Sequence, residues 1–202
     1  MTSVNEQVLD SIVRPNRVWS RSEILSRPCP VPQEPGVYGW YFQDIPPRVT
    51  AADCVVHEYL TLLYVGISPK KPPKNGAPPS KQNLSKRIRY HMRGNAYGST
   101  LRLTLGCLLS TTLGIDLRRV GSGHRLTFGP GEVVLSRWME ENAFVIWVVA
   151  REPWKPEEQL IHSLSLPLNL DHNQDHRFYS QLKAVRASAR EKARSLPVLE
   201  MP

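Results

Sequence analysis

Three short runs most constrain how this chain can fold. Residues 37–42 (VYGWYF), 59–65 (YLTLLYV) and 144–149 (FVIWVV) are dense in β-branched and aromatic residues and read as strands. The second run ends at Gly66, and the third is nearly continuous in apolar residues. Between the second and third lies a basic amphipathic segment, residues 84–92. There Leu84, Ile88 and either Met92 or His91 fall on one helical face, and Lys86, Arg87, Arg89 and Arg93 share the rest. A strand, strand, helix, strand order follows.

The remaining elements arrange themselves around that order. Residues 1–35 read as an arm with short helices at 6–13 and 22–25. Its proline-rich stretch, residues 28–35, cannot be regular helix, because proline lacks the amide and clashes with the preceding turn. Residues 67–83, rich in proline and lysine, form a long loop. Ser99 or Thr100 caps a helix reaching Leu109, with Leu101, Leu105, Leu108 and Leu109 inside. Residues 117–128 read as a hairpin turning at Gly121-Ser122-Gly123. Residues 132–141 read as a helix burying Val133, Val134, Leu135 and Trp138. Further helices are expected at 157–164 and 175–194, the latter capped by Asp175 or Asn173. The fold class expected is α+β: a small, mostly antiparallel three-stranded sheet flanked by helices, with an inserted hairpin and helices. The expected organisation is an arm (1–35), a domain (36–175) with an insertion at about 96–142, and a basic helix (176–202) packed on it.

Composition narrows the partners. With 26 Lys+Arg against 18 Asp+Glu the formal net charge is +8, which favours a polyanion such as nucleic acid through counterion release. No stretch approaches the roughly 20 apolar residues that span a bilayer, so no membrane partner is expected. The first residues show no basic-then-apolar leader pattern, and a cytoplasmic location is expected. Cys29, Cys54 and Cys107 lie far apart and read as reduced thiols rather than a zinc knuckle or disulfide framework. The run Asp171-His172-Asn173-Gln174-Asp175-His176 looks metal-like, and a polar loop is the favoured reading.

The chemistry rests on a scattered constellation. Gly36-Val37-Tyr38 and Tyr64-Val65-Gly66 sit on the first two strands. Arg87 and His91 lie one turn apart on the basic helix, so they share a face. Glu157 opens a helix after Pro153-Trp154-Lys155-Pro156, where the dipole favours a carboxylate. Asn169 follows twelve residues later in Pro167-Leu168-Asn169. In this order the pieces resemble the GIY-YIG nuclease domain, with a flavour similar to stand-alone, restriction-type members. The resemblance covers roughly residues 35–95 and 143–173.

That resemblance implies a metal-dependent endonuclease, with DNA the expected substrate. Tyr38 or Tyr64 would assist the attacking water. Arg87 would hold the phosphoryl oxygens, which a planar, permanently charged fork suits. Glu157 would bind a single Mg²⁺ or Mn²⁺, with Glu158 one residue away as the competing carboxylate. His91 and Asn169 would tune positions. Many members carry lysine directly after the second motif, where this chain has Ile67 and Ser68. Lys70, Lys71, Lys74 or Lys81 could replace it. These lysines, with Arg89, Arg93, Arg186 and Arg190, are the expected phosphate-tracking residues. A repair- or defence-type structure-specific nuclease and a non-catalytic binding module are the alternatives, and a homodimer is left open.

Overall fold

The computed structural model describes residues 4–73 and 80–200. The chain begins with α1 (Val4–Val13) and α2 (Arg21–Leu25), and then enters β1 (Gly36–Phe42), β2 (Val56–His57) and β3 (Leu60–Ser68). Next come α3 (Leu84–Arg93), α4 (Thr100–Leu108), α5 (Ser110–Leu113), β4 (Arg118–Val120), β5 (Arg125–Thr127) and α6 (Gly131–Asn142). The chain ends with β6 (Ala143–Val149), α7 (Trp154–Ser163) and α8 (Tyr179–Ser195). Among the described residues no helix is long and apolar enough to cross a membrane.

The sheet is antiparallel in the order β2-β3-β1-β6, and β4 and β5 form a separate hairpin. The expected three strands are its body. The fourth, β2, is a two-residue addition too short to carry a periodic signal. Both faces of the sheet are covered, which explains the nearly unbroken apolar runs. Tyr38, Trp40 and Phe42 of β1 face the larger core beneath α3, α4, α6 and α8. Val37 and Tyr41 face the smaller core beneath α1 and α7. The same alternation runs along β6, with Val145 in the first core and Phe144, Ile146 and Val148 packed against the second.

Three boundaries or faces depart from the sequence reading. In α6 the buried residues are Leu135, Met139 and Asn142, whereas Val133 is 62% exposed and Val134 39% exposed. The expected apolar face is rotated because the anchor of this helix is polar: Glu132 points inward to Arg102. α7 starts three residues before the expected Glu157. α8 starts at Tyr179, and neither Asp175 nor Asn173 caps it; Asn173 instead donates its amide to the carbonyls of Leu166 and Asn169.

The insertion between α3 and β6 is anchored by one enclosed ion pair. Arg102 on α4 is 0% exposed and reaches Glu132 Oε2 at 2.7 Å, the Glu132 carbonyl at 2.8 Å and Ser136 Oγ at 3.1 Å. Glu132 Oε1 accepts the amides of Ala96 and Phe128. Removing one partner of such a pair strands the other charge, at a cost of about 3–5 kcal/mol. Glu132→Gln is therefore expected to lower unfolding free energy by about 3 kcal/mol in urea denaturation. An unchanged midpoint would show that the insertion is held elsewhere.

Candidate active site

Tyr38 is 1% exposed, and its hydroxyl lies 2.9 Å from His91 Nε2. His91, fully enclosed on α3, places Nδ1 2.7 Å from Ser99 Oγ. Ser99 is the N-cap of α4, and its oxygen accepts the Arg102 amide at 3.1 Å. A continuous hydrogen-bonded line thus runs from the sheet through α3 to the start of α4. Burial raises the Tyr38 phenol well above its ordinary range; Tyr64 adds to this and Arg87 opposes it. Burial, then Arg87 and Arg102, holds His91 well below its ordinary value. Both groups are neutral near pH 7. The Ser99 hydroxyl can accept from Nδ1, leaving Nε2 as the acceptor for the phenol proton. It can also donate to Nδ1, which makes Nε2 a donor to the Tyr38 oxygen.

The motif glycines are required by space. A Cβ at Gly66 would sit 2.7 Å from the Tyr38 hydroxyl oxygen, and one at Gly36 would run into the Val148 carbonyl and the Leu84 side chain. Glycine at these positions lets β3 lie flat against the Tyr38 ring and β1 pass close under β6.

Tyr38, Tyr64, Arg87, Glu157 and Asn169 all line one cavity of about 420 Å³. Arg87 is steadied by donating to the Gly98 carbonyl at 2.9 Å. Tyr64 is also pushed up by burial, with a hydrogen bond to Thr100 opposing. Glu157 lies in the first turn of α7, and burial pushes its carboxyl up to about 7; Lys70 opposes this, and Asp171 and Glu158 add to it. His91 does not line the cavity and acts on it only through Tyr38.

Asn169 has a different task from the others. Its Oδ1 accepts the Val65 amide at 3.0 Å, and its Nδ2 donates to the Val65 carbonyl at 2.9 Å. Leu168 likewise donates its amide to the Leu63 carbonyl. Because β2 pairs with β3 only at Leu60 and Thr61, this segment stands in for the missing neighbour strand. Only a side-chain amide offers the acceptor and donor this requires. Asn169 fixes the backbone between Tyr64 and Gly66.

The expected phosphate-tracking residues divide. Lys70 and Lys71 are exposed at the cavity, so the loop does bring lysine to the site. Lys81, Arg89 and Arg93 lie outside its lining, and Lys74 lies outside the described residues. Arg190 is half-buried beside Cys107 and Arg186. Arg186, unlike Arg190, is 9% exposed and lines the cavity. Leu182, Arg186 and Ala193 are the buried residues of α8, so the arginine repeat carries one member inward. Among the described residues no three His, Cys, Asp or Glu side chains group to hold a metal, and His176 Nε2 instead meets Ser165 Oγ at 3.1 Å. Trp154 and Thr104 also line the cavity without having been singled out from the sequence; Thr100, read there only as a helix cap, and Asp171 and His172, read as part of a polar loop, line it too. Trp154 sits one turn before Glu157, and Asp171 sits two residues after Asn169, so proximity to the motifs was their available signal.

A family model described as the GIY-YIG catalytic domain matches residues 36–188. No curated protein and no solved structure matches the chain.

The raised Glu157 carboxyl has a consequence for stability. Its folded value, about 7, lies above the ordinary 4.5, so its stabilising contribution is complete below about pH 4.5 and is lost as pH rises through 7. Glu157→Gln, which cannot ionise, is expected to raise the thermal midpoint at pH 8 and leave it nearly unchanged at pH 4.5. Equal shifts at both pH values would mean that the carboxylate carries no burial cost.

Proposed function

This chain belongs to the GIY-YIG family of nucleases, and on that premise we propose that it is a metal-dependent endonuclease hydrolysing phosphodiester bonds in DNA. The observation that carries the reading is the convergence of Arg87, Tyr38, Tyr64 and Glu157 on one cavity. The bound ion would be Mg²⁺ or Mn²⁺. Glu157 suits it: a half-buried carboxylate, with the exposed Glu158 and Asp171 also at the cavity, favours a hard, mostly water-ligated cation shared with the substrate phosphate. Held at Glu157, such an ion supplies Lewis-acid polarisation of the phosphate and charge neutralisation at the leaving oxygen.

The chain's own residues do the rest. Arg87, fixed by Gly98, holds the non-bridging oxygens and gains strength as their charge grows in the transition state. Tyr38 cannot wait as a phenolate, because burial holds it protonated. Its hydroxyl, fixed by His91 Nε2, orients the attacking water, whose proton leaves to solvent through the cavity. Ser99 holds that ring in place through Nδ1. Tyr64, flanked by Thr100, contacts the phosphate from the neighbouring strand. Lys70 fills the place that many relatives give to the lysine after the second motif.

Labelled duplex, branched and single-stranded DNA incubated with Mg²⁺ or Mn²⁺ tests the reading. Wild-type protein is expected to cut internally, and Glu157→Ala is expected to lose at least a hundredfold in rate. Cleavage should rise with pH through about 7, because the cation binds the ionised carboxylate. The fragment pattern distinguishes restriction-like from structure-specific cutting. Tight binding by both proteins with no cleavage on any substrate would establish a binding module instead.

A further inference from the structure

We propose that Arg186 is a second phosphate-binding arginine of the cavity, engaging the substrate phosphate adjacent to the one Arg87 holds. The proposal rests on the nuclease reading for the identity of the polyanion, and on the structure of α8 for the rest.

Arg186 is an interior cation without a counter-ion. It is 9% exposed, yet among the described residues its guanidinium forms no salt bridge. One nitrogen reaches Thr104 Oγ1 at 3.5 Å, the limit of a hydrogen bond. Its Nε is buried with no partner at all. Burial and neighbouring Arg190 both work against its charge; Cys107, Asp171 and Tyr64 favour it only from a distance. Arg102, the other enclosed arginine, shows what satisfaction looks like in this protein, with Glu132, Ser136 and backbone carbonyls around it. An arginine so poorly matched in the free protein, facing a cavity that Arg87 and Glu157 also line, is matched by an anion that arrives.

Charge decides which anion. A phosphodiester carries one negative charge, which Arg87 and a cation at Glu157 already neutralise. A further guanidinium in the same cavity therefore serves the next phosphate along the strand. Tyr64 lies close enough to influence both Arg87 and Arg186, and all three line the same cavity. Two successive phosphates in one cavity call for an internal linkage of a polymer.

Binding of a short duplex DNA oligonucleotide to the full chain in EDTA, measured against salt, tests this without any cleavage. Arg186→Met is expected to reduce the slope of log K against log salt by about 0.9, the loss of one phosphate contact. At 0.1 M salt that is about an eightfold weaker complex. Arg186→Lys should retain the slope. The free Arg186→Met protein should melt no lower than wild type, because a buried unpaired charge has been replaced by an apolar chain of similar length. A lowered melting temperature with unchanged affinity and slope would overturn the proposal and make Arg186 structural. If the methionine variant fails to fold, Arg186→Lys against Arg186→Gln gives the same comparison. Wild type that binds through Arg186 yet cuts nothing sinks the nuclease reading alone. Normal cutting with an Arg186-independent slope sinks this inference alone.

Discussion

Arg102 is shared by three helices, and the geometry of the cavity depends on it. From α4 it reaches Glu132, Ser136 and the Met139 sulfur on α6, and it approaches the carbonyls of His91 and Met92 at the end of α3. Its own amide is capped by Ser99, the residue that holds the His91 ring. The insertion after α3 is therefore not an appendage. Its first turn supplies Ser99 and the cavity residues Thr100 and Thr104, and its ion pair fixes the distance between that turn and His91. The requirement that an enclosed arginine keep its carboxylate accounts for the face that α6 turns inward, and for the exposure of valines that would otherwise have been its buried face.

The two enclosed arginines and Glu157 form a graded series of buried charge. Arg102 is fully matched within the protein. Glu157 is partly matched, by Lys70, and is left half-protonated near neutrality. Arg186 is hardly matched at all. The mismatch increases toward the cavity. Burial costs of this kind are stable only if the surrounding packing supports them, and here the support is a sheet covered on both faces by apolar side chains. Local destabilisation at the cavity and tight packing behind it are two parts of one arrangement.

Much of this was legible in the residues. The three apolar runs gave the body of the sheet because a strand covered on both faces must be apolar along its length. The spacing of Arg87 and His91, and that of Glu157 and Asn169, was readable because helix and loop geometry carry Arg87, Glu157 and Asn169 to the cavity and His91 to Tyr38 behind it. What stayed hidden depended on long-range pairing. The two-residue β2 has no periodicity to read. Asn169 as a stand-in for a strand becomes visible only once β2 is known to pair with β3 at Leu60 and Thr61 alone. Arg186 sits in a repeat of arginines one turn apart, and nothing in that repeat says which one turns inward. That choice is made by Leu182 and Ala193, which fix the buried side of α8.

The cavity is also spread widely along the chain, from Tyr38 to Arg186. Chains emerge from the ribosome N-terminus first, at about 5–20 residues per second. Tyr38 is thus made roughly seven to thirty seconds before the last lining residue, Arg186, exists. The wall that Arg186 contributes to the cavity is therefore absent until the chain has been made as far as α8, more than a hundred residues after Tyr38.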